Sequence, residues 1–129
     1  MEKILLFLFY VLPLCSPATA QALSKGPTER EKIERLIGAV EQLKEAAFIR
    51  GSRAYSAEKA AAHLRTKLRK AGDKIATAQD FIDGIASTSY LTGKPYYIRF
   101  KDGRQITSRK FFEEKLSEMT AASEKKVDS

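Results

Sequence analysis

The stretch YYIRFKDGRQITS, residues 96–108, decides the fold. Along residues 96–101, apolar or aromatic side chains at alternate positions predict a half-buried strand. Asp102-Gly103 provides the positive-φ pair that a two-residue type I′ turn requires. Residues 104–107 then form the returning strand. The sequence therefore predicts a β-hairpin here.

Helices are predicted on both sides of this hairpin. Apolar residues recur at three- to four-residue spacing, and each segment follows a residue whose side-chain oxygen can cap a helix. Thr28 with Glu31 also has the spacing of a capping box. The predicted helices are 29–46 after Thr28, 57–71 between Ser56 and Gly72, 78–86 after Thr77, and 109–119 after Ser108.

These elements predict a single small domain. Two strands alone are marginal in water, so the hairpin must pack against the helices. The predicted fold class is α+β and mostly helical: three helices, then a β-hairpin and a C-terminal helix. The domain spans 28–119. Residues 21–27 are predicted to be a flexible lead-in, and residues 120–129 a disordered polar tail.

The first 20 residues predict export. Ile4–Leu12 (ILLFLFYVL) is an apolar run of nine residues, whereas a membrane-spanning helix needs about 20. Ala18-Thr19-Ala20 matches the cleavage pattern of a secretory signal peptide. We therefore expect a signal peptide at 1–20, cleaved after Ala20; a retained leader is the alternative. Lipidation at Cys15 is disfavoured because Leu14, which is not a small residue, precedes it.

Composition excludes several kinds of site. The chain has 129 residues, 23 Lys and Arg against 16 Asp and Glu, and a net charge of +7. His63 and Cys15 are its lone histidine and cysteine. A self-contained zinc site, which needs four such ligands, and an intrachain disulfide are therefore excluded. No metal or cofactor is predicted.

Positive charge is concentrated in two segments. Residues 58–74 carry six bases and two acids, and residues 94–104 carry four bases and one acid. Such a surface could bind an anionic envelope component or an acidic protein, whereas export argues against nucleic acid. The alternative is a solvated surface without a ligand. The candidate binding residues are Lys59, His63, Lys67, Lys70, Lys94, Arg99, Lys101 and Arg104.

The loop before the hairpin is a second candidate site. Its hydroxyls, a flexible glycine and a lysine are Ser87, Ser89, Thr92, Gly93 and Lys94. If His63 met these hydroxyls, a small enzyme or ligand-binding site would be possible. The alternative is that the hydroxyls only cap and turn the chain. No spacing demands catalysis, so we expect a non-catalytic protein, with the enzyme as the second hypothesis.

Five ordered motifs resemble a known family. They are F-I-R (Phe48–Arg50), H-L-R-x-K-L (His63–Leu68), T-A-x-x-F-I-D (Thr77–Asp83), A-S-x-S (Ala86–Ser89) and T-G-K-P-Y (Thr92–Tyr96). Together they resemble the YfeK-like family of small exported bacterial proteins of unknown function. The resemblance implies a periplasmic location in a Gram-negative bacterium and no known activity. Gly51-Ser52 departs from the Asn-Gly that often follows F-x-R in the family, which leaves the turn geometry open.

Overall fold

The protein, a computed structural model, is described over residues 26–128; the predicted signal peptide 1–20 and residues 21–25 of the predicted lead-in lie outside the described residues. The elements are α1 Glu29–Glu41, β1 Ala47–Arg50, β2 Arg53–Tyr55, α2 Ala57–Ala71, a 3₁₀ turn Gly72–Lys74, α3 Ala78–Phe81, a π-helical turn Ile82–Ala86, β3 Tyr97–Arg99, β4 Gln105–Thr107 and α4 Ser108–Val127. The four strands form one antiparallel sheet in the order β2-β1-β3-β4. The fold is α+β and mostly helical, as predicted.

The first two helices differ in how well the sequence predicted them. Helix α1 ends at Glu41, so the prediction of 29–46 was too long. Two tight turns follow it, in which the Leu43 and Ala46 amides each bond the carbonyl three residues back, and these lead the chain into β1. The bounds of α2 are confirmed: the Ser56 hydroxyl accepts from the backbone of the first turn, and Gly72 ends the helix at φ +55°.

The start of the third predicted helix is confirmed, and its second half is a π-helical turn, which is wider than an α-helix. Thr77 and Asp80 form a complete capping box, each side chain bonding the other's backbone amide at 3.0–3.1 Å. From Ile82 the α-helix becomes a π-helical turn that ends at Ala86. The buried Ser87 hydroxyl donates to the Ile82 carbonyl at 2.6 Å, which satisfies an acceptor at this end.

The sequence prediction missed a hairpin between α1 and α2. Strands β1 and β2 pair Phe48 with Tyr55 and Arg50 with Arg53. Gly51-Ser52 is the two-residue turn between them, and Gly51 has a φ of +60°. Glycine at the first central position with positive φ is typical of hairpin turns of this length. The segment between the first two predicted helices therefore forms half of the sheet.

The turn of the second hairpin also differs from the predicted type I′ turn. Arg99 pairs with Gln105, which leaves five residues outside the ladder. The Gly103 amide donates to the Phe100 carbonyl at 2.9 Å, and Gly103 takes a φ of +92°. The turn is therefore centred on residues 101–102 and followed by glycine, the arrangement of a longer hairpin loop with a bulge.

Helix α4 is longer than predicted and begins with a different cap. It runs from Ser108 to Val127, so residues 120–127 are helical rather than loose. Alanines and lysines favour helix there, and Lys125 and Lys126 suit the negative end of the helix dipole. The Thr107 hydroxyl, not that of Ser108, accepts from the first turn. Ser108 instead is buried.

One face of the sheet packs against the helices. Phe48 and Ile98 are direct partners across β1 and β3, and both are buried. Leu36, Ile37 and Val40 of α1 and Phe112 of α4 belong to the same core. Among residues 26–128, no helix combines the length and the apolar character that crossing a bilayer requires.

Candidate functional site

The β1–β2 hairpin places two arginines on the helix-facing side of the sheet. Side chains alternate along a strand, so Arg50 lies on the same face as buried Phe48. Arg53 is directly opposite Arg50 and therefore shares that face. Like charges at directly opposite positions destabilise a strand pair. The packing of the sheet gives no reason for this pair.

A cleft lies between this hairpin and the loop that precedes β3. It has a volume of about 420 Å³ and three cationic side chains in its wall: Arg50, Arg53 and Lys94. Ser89 and Thr92 also line the cleft. Among residues 26–128 no carboxylate lines it, so its lining combines positive charge with groups that can donate hydrogen bonds.

The three cations of the cleft have no acidic partner among residues 26–128. Within the part of the chain that the structure describes, Arg50, Arg53 and Lys94 make no ion pair. Half-exposed arginines elsewhere do: Arg65 lies 2.7 Å from Glu41, and Arg109 lies 2.6 Å from Asp83. The cations of the cleft are therefore free to bind an anion from outside the domain.

The loop site predicted at Ser87–Lys94 is mainly a folded turn. Ser87 is 1% exposed, and its hydroxyl donates a hydrogen bond to the Ile82 carbonyl. The Ser89 hydroxyl accepts a hydrogen bond from the Thr92 amide at 3.4 Å. The Thr92 hydroxyl accepts from the Lys94 amide, and Gly93 has a φ of +71°. These hydroxyls therefore hold the loop closed, while the Lys94 side chain lines the cleft.

His63 faces a neighbouring cavity. Its ring makes an edge-on contact with Tyr55, with the ring centroids 5.2 Å apart. Over residues 26–128, no hydrogen bond joins His63 to Ser87, Ser89 or Thr92. The histidine–hydroxyl site of the second hypothesis therefore stays a prediction. In the same described range, no three His, Cys, Asp or Glu side chains cluster as metal ligands would.

Lys67 lies beside His63, one helical turn further along α2. Its ammonium group donates to the Tyr96 hydroxyl at 2.7 Å and to the Ile85 carbonyl at 3.4 Å. It also lies 4.7 Å from the centroid of the Tyr96 ring. The lysine is half-buried, and no carboxylate pairs with it in the described chain. It adds a positive charge to the lining of the cavity.

The eight residues predicted as a basic surface divide into separate groups. Lys67 and His63 line the cavity, and Lys94 lines the cleft. Lys101 and Arg104 lie at the β3–β4 turn, at the other end of the sheet, and they pair with Glu45 at 3.3 Å and Asp102 at 3.9 Å. The charge at that turn is therefore largely neutralised.

The remaining three residues of that prediction lie elsewhere. Lys59 and Lys70 are exposed near the two ends of α2. Arg99 lies on the outer face of the sheet, opposite to buried Ile98, and bonds the Gln105 side chain at 3.2 Å. None of the three lines the cleft.

Sequence reasoning did not identify Arg50 and Arg53 as candidate site residues, although both line the cleft. Their signal was present in F-I-R-G-S-R-A-Y, residues 48–55. Gly-Ser between two short runs is a recognised two-residue hairpin signal. A hairpin with that turn makes the two flanking arginines direct partners.

Two acids outside the cleft have lowered pKa values. Hydrogen bonds from Arg109 and then from Gln79 lower the pKa of Asp83, since both favour the ionised carboxylate. Hydrogen bonds from Lys32 and from the Ala78 amide lower the pKa of Glu29 in the same way. These contacts tie α1, α3 and α4 together and serve the fold.

The fold and site define a small α+β protein with a cationic cleft beside its sheet. The chain belongs to a family of unknown function, DUF5329, which matches residues 27–120. The protein of Salmonella typhimurium named "Uncharacterized protein YfeK" is 43% identical over 68 residues, which are 53% of this chain and 57% of that relative. The resemblance predicted from the five motifs is thus confirmed. The chain spans little more than half the length of this relative, and no solved structure matches it.

Proposed function

We propose that this chain is an exported, non-catalytic protein that binds an anionic group of an envelope component in the cleft between the β1–β2 hairpin and the 87–95 loop. The observation that carries the proposal is the convergence of Arg50, Arg53 and Lys94 on one concave surface, where none of them has an acidic partner in the described part of the chain. Phosphate and carboxylate groups suit this lining, because arginine presents paired N–H donors to their oxygens. An acidic protein surface is the alternative partner.

The folding cost of the arginine pair supports a role in binding. Arg50 and Arg53 face each other across the hairpin, where opposite charges or an aromatic pair would stabilise the strands better. A bound anion would reverse that repulsion by pairing with both. Lys94 approaches from the loop, so the anion would also connect the loop with the hairpin.

The test uses two charge-matched double variants and pyrophosphate as the probe. Arg50→Gln with Arg53→Gln removes two charges from the cleft, and Arg30→Gln with Arg35→Gln removes two from the exposed side of α1. By calorimetric titration in low salt we expect the cleft variant to lose about tenfold or more in affinity, since each charged hydrogen bond is worth ~1.5–3 kcal/mol. The α1 variant should stay within about twofold. Equal losses would mean that only net charge matters and would contradict the cleft.

Export is the second part of the proposal. It rests on the nine-residue apolar run at 4–12 and on Ala18-Thr19-Ala20. We expect the protein in the periplasmic fraction of a Gram-negative host, with Gln21 as its first residue by amino-terminal sequencing. Full-length protein that begins at Met1 and stays in the cytosol would contradict export without touching the anion site.

A further inference from the structure

A small apolar cavity lies behind the cleft, between α2 and the sheet. Its volume is about 60 Å³, and its apolar wall includes Val40, Phe48, Leu64 and Phe112. A cavity that holds a benzene ring has a volume of ~150 Å³. The cavity here is less than half that size, so it has room for a short branched chain and not for a ring. Apolar walls hold water poorly, so such a space favours an apolar occupant.

The cavity and the cleft share part of their walls. Arg50, Tyr55 and Tyr96 line both. The Arg50 guanidinium lies 5.9 Å from the centroid of the Tyr96 ring, within the range of a cation–π contact. A ligand whose anionic end touches Arg50 in the cleft would therefore have the cavity directly behind that contact.

A buried polar group also points to an occupant. Ser108 lines the cavity and is 4% exposed. Its amide donates to the Tyr96 carbonyl at 2.9 Å, but its hydroxyl has no hydrogen-bond partner among residues 26–128. Buried hydroxyls are nearly always satisfied in folded proteins. The Ser108 hydroxyl is thus left for a ligand or a bound water in the cavity.

From these three observations we propose that the ligand is a small amphiphilic anion, whose phosphate or carboxylate pairs with Arg50 in the cleft and whose short apolar chain fills the cavity. The inference rests on the proposed function, because the anionic end occupies the same cleft. It adds a class of ligand: a monoester or acid with one compact apolar group. A free inorganic anion would leave the cavity and Ser108 unused.

The experiment compares methyl phosphate with isopropyl phosphate by calorimetric titration. The two probes share a monoester phosphate and differ in the apolar group. We expect wild-type protein to bind isopropyl phosphate about tenfold more tightly, because burying the branched chain removes apolar surface from water. Ala60→Leu places a larger side chain in the cavity wall and should abolish this difference, while methyl phosphate still binds within about twofold of wild type.

Ala62→Leu is the matched control, an exposed position on the same helix that does not line the cavity. It should keep the tenfold preference. Equal binding of the two probes to wild type, or a preference that survives Ala60→Leu, would overturn the amphiphile inference and leave the anion site standing. If neither probe binds, the proposed function fails as well. If isopropanol binds as tightly as isopropyl phosphate, the apolar group alone is recognised and the link to Arg50 is wrong.

Discussion

Arg50 and Arg53 are direct cross-strand partners, so the shortest hairpin of the fold closes on two like charges. If this pair is kept for binding, stability and binding should change in opposite directions when it is altered. Arg53→Glu converts the pair to opposite charges and should stabilise the protein by ~0.2–1 kcal/mol. Urea unfolding measures that gain, and titration with pyrophosphate should show a loss of binding in the same variant.

The control for this variant is Arg69→Glu, the same change on exposed α2. It should leave pyrophosphate binding almost unchanged and give no comparable gain in stability. A lower free energy of unfolding in Arg53→Glu would mean that the arginine pair stabilises the hairpin, and the argument that it is kept for binding would fail.

Two glycines offer a matched test of the backbone in the missed hairpin. Gly51 has a φ of +60°, whereas Gly38 lies inside α1 with nothing within 4 Å of an added Cβ. Gly51→Ala should destabilise by ~1–2 kcal/mol, because an L side chain is strained at positive φ. Gly38→Ala should stabilise by ~0.5–1 kcal/mol. Thermal or urea unfolding of both variants checks the pair, and the same sign for both would contradict the turn geometry.

The ion pair between α4 and the π-helical turn should give the protein an acid-dependent stability. Hydrogen bonds from Arg109 and Gln79 lower the pKa of Asp83 in the folded state. The contribution of ionised Asp83 to the free energy of unfolding is therefore complete above the unfolded pKa of ~3.9, and it is lost as the pH falls through the lower pKa of the folded state. We expect Asp83→Asn to flatten the fall in unfolding free energy between pH 5 and pH 2. Part of the pH dependence should remain in this variant, because the pKa of Glu29 is lowered too.

The outcome at Asp83 can be separated from a general effect of charge. Asp73→Asn removes an exposed acid that makes no ion pair in the described chain and should leave the slope as in wild type. Identical slopes for all three proteins would contradict the contribution of the Arg109 contact.

The sequence predicted those elements whose signals are local. Ser56 and Gly72 gave both ends of α2, and Thr77 with Asp80 gave the start of α3, because a cap is a contact over three residues. The β3–β4 hairpin was found from its period-two pattern. The prediction of a type I′ turn was wrong, because the register that pairs Arg99 with Gln105 is set by the whole β3–β4 ladder and not by the Asp-Gly pair alone.

What the sequence missed depends on pairing across the chain. Strand β1 has four residues and β2 has three, too short for periodicity to separate them from the end of a helix. Strand β1 is specified by its two partners, β2 and β3, which lie on either side of it. The cleft was missed for the same reason, because Arg50 and Lys94 line one cleft only when β1 lies beside the start of β3. The Gly-Ser turn was the one local signal for it.

The most direct test of the cleft is to observe its arginines while an anion is added. Isotope-labelled protein is titrated with inorganic phosphate, and the side-chain Nε–H signals of Arg50 and Arg53 are followed by NMR beside those of Arg65, which is paired with Glu41 at 2.7 Å. The account predicts saturable shifts at Arg50 and Arg53 and little change at Arg65. Shifts of equal size spread over all the arginines, or none at Arg50 and Arg53, would contradict it.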